Sequence, residues 1–600
     1  MCGIAGVIDF SGSRKTNNSD LNKMLKHLKH RGPDGVGSWN NKNIAIGMRR
    51  LSIIDLENGM QPLFNEDKNL IIVGNGEIYN YKELFKLLDK KGHRRRTESD
   101  IEAIIHLYEE YGEKCLDKLE GMFAFIIYDK RNNKAFIARD RMGEKPLYYS
   151  IQSTKIYLSS EMKSLIKVVP NKEIDLDSIN LYFHYYYIPE PRTVFKNIKK
   201  LEPGHYLLID LNKNKVLTKQ YWDPSSIKIV DKKNLVENIN KKFINAVKKT
   251  LVADVDVAVS LSGGIDSSAI LAIAASKYPK KIKAFTIGYE GSHKSDERMA
   301  SRLIAKKYNV EHIELELKTK DVVNNFPKLV FDGDDPIADI AGHAIYSISH
   351  LAQKNKIKVL LGGLGGDELF WGYPWVRDIT QNNYNFSKFD LFNKITPFKN
   401  GKKFLTNLTT KKFRSSIKQN LPENIYQPTN KLKTAIDYAR AVQNKLRDIW
   451  LVSNCIAYND RLSMASSVEL RSPFLNHHLV KTAYENKKNV LSYKLDGKHY
   501  FKKAVAKYLP SKILNLPQKG FQPPIAYWLF GIIRKYIILL QNGFLVNQNI
   551  IARSKIRFIR ITWFLNPFLW YSIYQLLVLE IWCREYILGI DTTNIYAKIK

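Results

Sequence analysis

Cys2 stands directly behind the initiator methionine in Met1-Cys2-Gly3-Ile4. Removal of Met1 leaves a thiol and a free α-amine on the same carbon. An α-amine titrates near pH 8, so it can act as general base to its own nucleophile without a histidine. Four segments further on supply what such a nucleophile needs: His30-Arg31-Gly32-Pro33-Asp34-Gly35, Arg50-Leu51-Ser52-Ile53-Ile54-Asp55, Asn75-Gly76-Glu77-Ile78-Tyr79-Asn80 and Thr97-Glu98-Ser99-Asp100. Acyl transfer needs donors at the developing oxyanion, and the Asn75 amide beside the Gly76 backbone N–H offers two. A substrate with an α-carboxylate and an α-ammonium needs a fixed cation and a fixed anion, for which Arg50 and Asp100 are suited.

A second group lies in Ser260-Leu261-Ser262-Gly263-Gly264-Ile265-Asp266-Ser267-Ser268. A glycine-rich turn at a helix start presents backbone N–H groups to an anion, and Ser262, Ser267 and Ser268 add hydroxyls. The GxxxxGK[ST] pattern is absent, so this is not a Walker loop. Asp266 would repel a phosphate unless a divalent cation lay between them, and Mg²⁺ suits one or two carboxylates plus polyphosphate oxygens. Asp367, in Leu361-Gly362-Gly363-Leu364-Gly365-Gly366-Asp367-Glu368-Leu369-Phe370, is the expected second carboxylate. Both loops follow a predicted strand, which places them at one carboxyl-end edge of a sheet.

The elements that position these groups fall into two regions. Short strands are expected at Ile44 to Met48, Leu70 to Val73, Gly121 to Tyr128, Lys134 to Arg139, Lys155 to Ser159 and His205 to Leu211, with helices from Leu21 to Leu28 and Asp100 to Tyr111. Beyond a linker at 216–235 the rhythm becomes strand and helix in turn: Val255 to Leu261, Ser267 to Ser276, Ile282 to Gly288, Asp296 to Tyr308 and Lys358 to Leu361. That pattern predicts a parallel sheet covered by helices. From about 435 the pattern is mainly helical.

The first motif set, in this order after an N-terminal cysteine, resembles the class II glutamine amidotransferases. The resemblance implies a four-layer αββα N-terminal-nucleophile domain over residues 1–215. It also implies that Cys2 attacks the side-chain amide of glutamine, that Asn75 and Gly76 hold the oxyanion, and that Arg50, Leu51, Ile53, Ile54, Glu77 and Asp100 form the glutamine pocket. The SGGxDS segment resembles the pyrophosphate-loop ATPases, which activate a substrate as an adenylate. Together the two halves, with Asp460 to Ala465, Glu469 to Leu475 and Gln518 to Phe521, resemble the glutamine-hydrolysing asparagine synthetases, with a synthetase domain over 236–600. That implies ATP and Mg²⁺ as cofactors. Leu261, Ser262, Gly263, Gly264, Asp266, Ser267, Ile287, Gly362 and Gly363 would bind the nucleotide, Asp266 and Asp367 the metal, and Lys519 the charge of adenylate formation.

One position departs from this family. The segment corresponding to Gly362 to Glu368 typically carries a glutamate where this chain has Leu364, and leucine can neither ionise nor accept a hydrogen bond. Two acceptors stay open: aspartate, with another carboxylate such as Glu368 in the missing role, or a different acid, such as the sugar acids of asparagine synthetase-like proteins in polysaccharide gene clusters.

The 600 residues carry 94 Lys and Arg against 59 Asp and Glu, a formal net charge of +35. The excess is spread in short bursts, which reads as solvated surface rather than a nucleic-acid site. A basic tRNA-modifying ATPase would use the charge but not Cys2, Arg50, Asn75-Gly76 or Asp100. Cys2, Cys115, Cys455 and Cys583 have no metal-ligand spacing, and no signal peptide precedes them, so a cytoplasmic protein is expected. The apolar window from Trp563 to Trp582 is interrupted by Asn566-Pro567, Gln575 and Glu580. It reads as a buried helix rather than a membrane span, with peripheral contact to an anionic surface through Arg553 to Trp570 as the alternative. A homodimer is compatible with the sequence.

Overall fold

The computed structural model describes residues 2–11, 14–291, 296–382, 405–418, 421, 432–516 and 523–592. The first half is built on strands β1 (Gly3–Asp9), β2 (Gly35–Asn40), β3 (Ile44–Arg50), β4 (Leu63–Phe64), β5 (Leu70–Ile78), β6 (Gly121–Asp129), β7 (Lys134–Arg139), β8 (Tyr148–Ile151), β9 (Lys155–Ser159), β10 (Lys199–Lys200), β11 (His205–Asp210) and β12 (Lys215–Gln220). They form two six-stranded antiparallel sheets, ordered β10-β8-β9-β1-β3-β2 and β12-β11-β7-β6-β5-β4.

Period-two alternation explains the layering. Ile4 and Ile8 of β1, Ile44, Ile46 and Met48 of β3, Ile71 and Val73 of β5, and Ile126 of β6 meet in one apolar layer between the sheets. The alternate residues face outward. Ala5, Val7 and Ala45 pack on Leu21, Met24, Leu25 and Leu28, and Ile72, Phe123, Phe125 and Ile127 pack on Leu84, Phe85, Ile104 and Ile105. The result is the expected αββα arrangement.

The second half carries β13 (Val257–Ser260), β14 (Lys283–Tyr289), β15 (Glu311–Leu317), β16 (Val359–Leu361) and β17 (Glu469–Arg471) in one parallel sheet, ordered β15-β14-β13-β16-β17. Helices follow, ending in Trp570–Tyr586, almost wholly buried. Among the described residues one apolar run, Ile525–Asn547, is long enough to cross a membrane, but 61% of its apolar window lies inside the protein.

Two strands stand where the sequence reading put something else. Residues 216–220, read as the start of a linker, belong to β12, an exposed polar edge strand with no apolar alternation to betray it. β17 is three residues long inside a mainly helical region and pairs Val359 with Glu469. A strand that short has no readable period.

The halves meet through buried charge. Arg31, fully buried, donates from NH1 to Glu161 Oε1 and to Asp460 Oδ2, both at 2.8 Å, and from Nε to the Cys2 carbonyl at 3.2 Å. Asp334 accepts from the backbone N–H groups of Met162 and Lys163 at 2.6 and 2.8 Å. Removing one partner of a buried pair leaves an uncompensated charge. Arg31→Met should therefore cost about 3 kcal/mol in urea denaturation, and Arg31→Lys should restore only part, since an ammonium cannot span three acceptors. An unchanged midpoint for Arg31→Met would show that the bridge is not what docks the halves.

Candidate active site

Cys2 heads β1 and its neighbour Gly3 pairs with Arg49, so Cys2 lies beside Arg50. The facing sheet delivers Asn75. The Cys2 backbone N–H donates to Asn75 Oδ1 at 2.9 Å, which turns the amide nitrogen of Asn75 away from the chain terminus. That nitrogen is buried and has no hydrogen-bond partner among the described residues. An unpaired buried donor costs free energy unless something accepts from it. Gly76 has φ +152°, and a Cβ there would sit 2.1 Å from the Met122 carbonyl oxygen, so no other residue fits.

Burial pushes the Cys2 thiol above its usual range, with the Leu51 backbone N–H and Arg50 pulling it down. The resting thiol is protonated at neutral pH and needs a base to become a nucleophile. Arg50 is wrapped by a loop: its guanidinium donates to the carbonyls of Ile54 (3.1 Å), Asp55 (2.5 Å) and Leu56 (3.3 Å). These neutral acceptors fix its direction without cancelling its charge. Asp100 accepts from the Ile78 N–H at 2.6 Å, and burial raises its pKa to about 6. Glu77 is buried and pushed well up by burial and by Glu469, despite Arg471 NH2 at 3.4 Å. Leu51, Ile53 and Ile54 are all buried. The Ile53 carbonyl accepts from the Asp254 N–H of the second half at 2.9 Å.

The loop bearing Asp100 is held by Glu102, which accepts from the backbone N–H groups of Arg96 and Thr97 at 2.7 and 2.8 Å. Glu102 in turn lies 3.4 Å from His106 Nε2.

At the parallel sheet, β13 and β16 are neighbours, so their following loops meet. Ser262 N–H donates to Ser267 Oγ at 3.1 Å, and Gly263 has φ +74°. A Cβ on Gly363 would come 3.0 Å from the Cβ of Asp266, and one on Gly366 would come 2.5 Å from Asp266 Oδ2. Leu261 is buried, its N–H bonded to the Phe285 carbonyl, and the Gly362 N–H donates to the Arg471 carbonyl at 2.9 Å. Gly264 opens the following helix as its N-cap, and Ile287 lies half-buried in β14.

Sequence reading missed the group that joins Asp266 to Asp367. Lys498 Nζ lies 2.5 Å from Asp266 Oδ2 and 2.8 Å from Asp367 Oδ1. It is buried at φ +59°, in the turn after Asp496-Gly497 that starts the helix His499–Val505. A lone lysine in a lysine-rich chain carries no motif, and only the fold reveals its position. Burial raises Asp266 to about 6, while Lys498 pulls it down. Lys519, with Gln518 to Phe521, lies outside the described residues.

Leu364 is half-buried against the apolar core, and its carbonyl accepts from Ser472 Oγ. Glu368 is buried, accepts from the Tyr373 hydroxyl at 2.8 Å, and is raised to about 7 by burial and by Asp367. Trp371 serves packing: it is 2% exposed and donates to the Asn489 carbonyl at 3.0 Å.

An N-terminal-nucleophile sandwich with Cys2 at the head of a central strand, joined to a parallel sheet with two touching glycine loops, defines a glutamine amidotransferase coupled to a synthetase half. A glutamine amidotransferase domain model matches residues 1–222, and an asparagine synthase model matches residues 238–580. The chain is 31% identical over 567 residues to the glutamine-hydrolyzing asparagine synthetase 1 of Bacillus subtilis (strain 168), covering 90% of this chain and 89% of that one. It is 36% identical over 422 residues to a putative glutamine-hydrolyzing asparagine synthetase 2 of Methanocaldococcus jannaschii, covering 66% and 79%. It is also 26% identical over 622 residues to amidase chry2 of Gibberella zeae, covering 90% and 91%. The chain belongs to the glutamine-hydrolysing asparagine synthetase family. It is a ligase that forms a C–N bond with glutamine as amido donor.

Two outcomes are expected. Asn75→Ala should lower glutamate release by about 10²–10³-fold, the usual effect of losing one oxyanion donor; a loss under threefold would remove Asn75 from that role. Glu368 has a raised pKa in the fold, so its stabilising contribution is present below about pH 4.5 and is lost as pH rises toward about 7. Glu368→Gln should thus be the more stable form at pH 8, by about 3 kcal/mol, and nearly equal to wild type at pH 4.5. Urea midpoints at the two pH values check this.

Proposed function

We propose that the enzyme hydrolyses glutamine at Cys2 and uses the ammonia to amidate a carboxylic acid that it first adenylates with ATP. The observation that carries the reading is the buried Asn75 Nδ2 beside Cys2, which has no partner among the described residues. In the glutaminase half the Cys2 α-amine accepts the thiol proton, and sulfur attacks the glutamine side-chain carbonyl carbon. Asn75 Nδ2 and the Gly76 N–H hold the oxyanion. The C–N bond breaks, the α-amine returns its proton to the leaving ammonia, and water hydrolyses the thioester to glutamate. Arg50 holds the glutamine carboxylate and Asp100 its ammonium, with Leu51, Ile53, Ile54 and Glu77 completing the pocket.

In the synthetase half Ser262, Gly263, Gly264 and Ser267 cradle the ATP phosphates at the start of the helix Ile265–Lys277. Leu261, Ile287, Gly362 and Gly363 border the nucleotide, and Lys498 faces the phosphates between Asp266 and Asp367. Lys519 is proposed to carry charge beside them. Mg²⁺ fits the carboxylate pair: Asp266 Oδ1 is buried and has no partner among the described residues, a hard oxygen ligand of the kind that ion takes. When bound, the ion neutralises polyphosphate charge. The acceptor we favour is aspartate, in line with the relatives' names. Leu364 favours a second reading, a sugar acid, because a side chain that can neither ionise nor accept a hydrogen bond stands where the family typically carries a glutamate. The free thiols Cys2, Cys115, Cys455 and Cys583 support action in a reducing cytoplasm.

Pyrophosphate release from glutamine plus ATP, measured with aspartate and then with uronic acids or their nucleotide sugars, decides between the acceptors. Release with aspartate confirms asparagine synthesis, release only with the sugar acids transfers the activity to them, and none with any acceptor refutes the synthetase reading. Cys2→Ala should abolish the glutamine-dependent reaction and spare the ammonia-dependent one. Because Asp266 must be ionised to hold a cation, pyrophosphate release should fall as pH drops through about 6.

A further inference from the structure

From Gly497 to Leu579 the chain has twelve Lys or Arg and no Asp or Glu. Glu580, which ends this run, is turned inward, accepting from the Phe544 and Leu545 N–H groups and from Arg584. Within the run, the helix Arg553–Thr562 is apolar on two opposite sides. Ile556 and Ile559 point into the protein, while Phe558 and Ile561 are 66% and 72% exposed. Arg553, Lys555 and Arg557 are exposed beside them and Arg560 is half-exposed. No carboxylate of a described residue lies in ion-pair range of any of these four cations.

The chain continues into the turns Trp563–Leu565 and Pro567–Leu569, where Phe564, Leu565 and Phe568 are 56%, 69% and 80% exposed. This tip is braced rather than loose. Trp570 Nε1 donates to the Trp563 carbonyl at 3.0 Å, and both indoles pack on Phe530 of the neighbouring helix, with ring centroids 5.2 and 5.6 Å away. Five large apolar side chains are thus held in water on a rigid platform ringed by cations that no carboxylate of a described residue pairs.

Such a patch marks an interaction surface. Its chemistry selects the partner. A second copy docking through the same face would oppose like charges across a two-fold axis. A nucleic acid would use the cations and could stack on phenylalanine, but has no use for Ile561 and Leu565. An anionic bilayer uses both sets at once: lipid phosphates meet the Lys and Arg, and the apolar tips sit below the headgroups. We infer that this face docks the enzyme on an anionic lipid surface, with Phe564, Leu565 and Phe568 inserted and Arg553, Lys555, Arg557 and Arg560 at the headgroups. The residues lie on helices and turns that carry none of the glutaminase or nucleotide-loop groups, so docking and chemistry are separable.

The test is co-sedimentation of the full-length enzyme with phosphatidylcholine vesicles, with and without a quarter of phosphatidylglycerol. Binding should be at least about tenfold tighter with the anionic lipid and should weaken as salt is raised. Arg557→Ala with Arg560→Ala should lose about 25-fold, roughly fivefold per cation. Phe564→Ser with Phe568→Ser should abolish binding, and glutamate release should stay at the wild-type rate in both variants, showing that they are folded. Equal binding to neutral and anionic vesicles, no binding to either, or variants that bind like wild type would overturn the inference. So would light scattering that shows a dimer dissolved by the Phe variant, or an RNA mobility shift without vesicle binding; these would assign the surface to a second copy or to nucleic acid.

Discussion

A guanidinium without access to water governs the relation between the two halves. Arg31 bonds at once to the carbonyl of Cys2, to Glu161 of its own half and to Asp460 of the other. Neither half alone could hide that charge at tolerable cost, because a buried ion needs its partners in place. The position of Cys2 therefore depends on the docking of residues more than four hundred positions away. A second contact of the same kind, Arg471 with Glu77 at 3.4 Å and Glu469 at 2.5 Å, ties the glutamine pocket to the edge strand of the parallel sheet.

The two sites manage their resting charge differently. In the glutaminase half the polar groups are arranged but incompletely satisfied: among the described residues Asn75 Nδ2 has no acceptor, and Arg50 is held by the neutral carbonyls of Ile54, Asp55 and Leu56. Preorganisation of that sort places the cost of orientation in folding rather than in the reaction. In the synthetase half Lys498 already lies between Asp266 and Asp367, so two carboxylates that would repel each other are stable side by side.

Much of this was legible in the sequence, for physical reasons. The central antiparallel strands are buried on both faces, so the continuous apolar runs Ile44 to Met48 and Gly121 to Tyr128 declared themselves, and both glycine loops stood out because they follow buried strands. Short or exposed strands did not: β12 has no apolar face, and β17 has three residues. Site residues that belong to dense motifs, such as Asn75-Gly76 and Ser262 to Ser267, were visible. Lys498 and Arg471 act singly and across long sequence distances, and only the topology brings them to their partners. Trp371, which follows the second glycine loop, is a core residue bonded to the Asn489 carbonyl.

The second glycine loop differs sharply from position to position in the freedom it leaves. Gly363 and Gly366 press on Asp266 so closely that a side chain at either position would force Asp266 to give way. Leu364, between them, contributes only its carbonyl to the loop and rests its side chain on the core. Mutation can thus explore position 364 while the backbone of the loop, held at this point by Ser472, keeps its course.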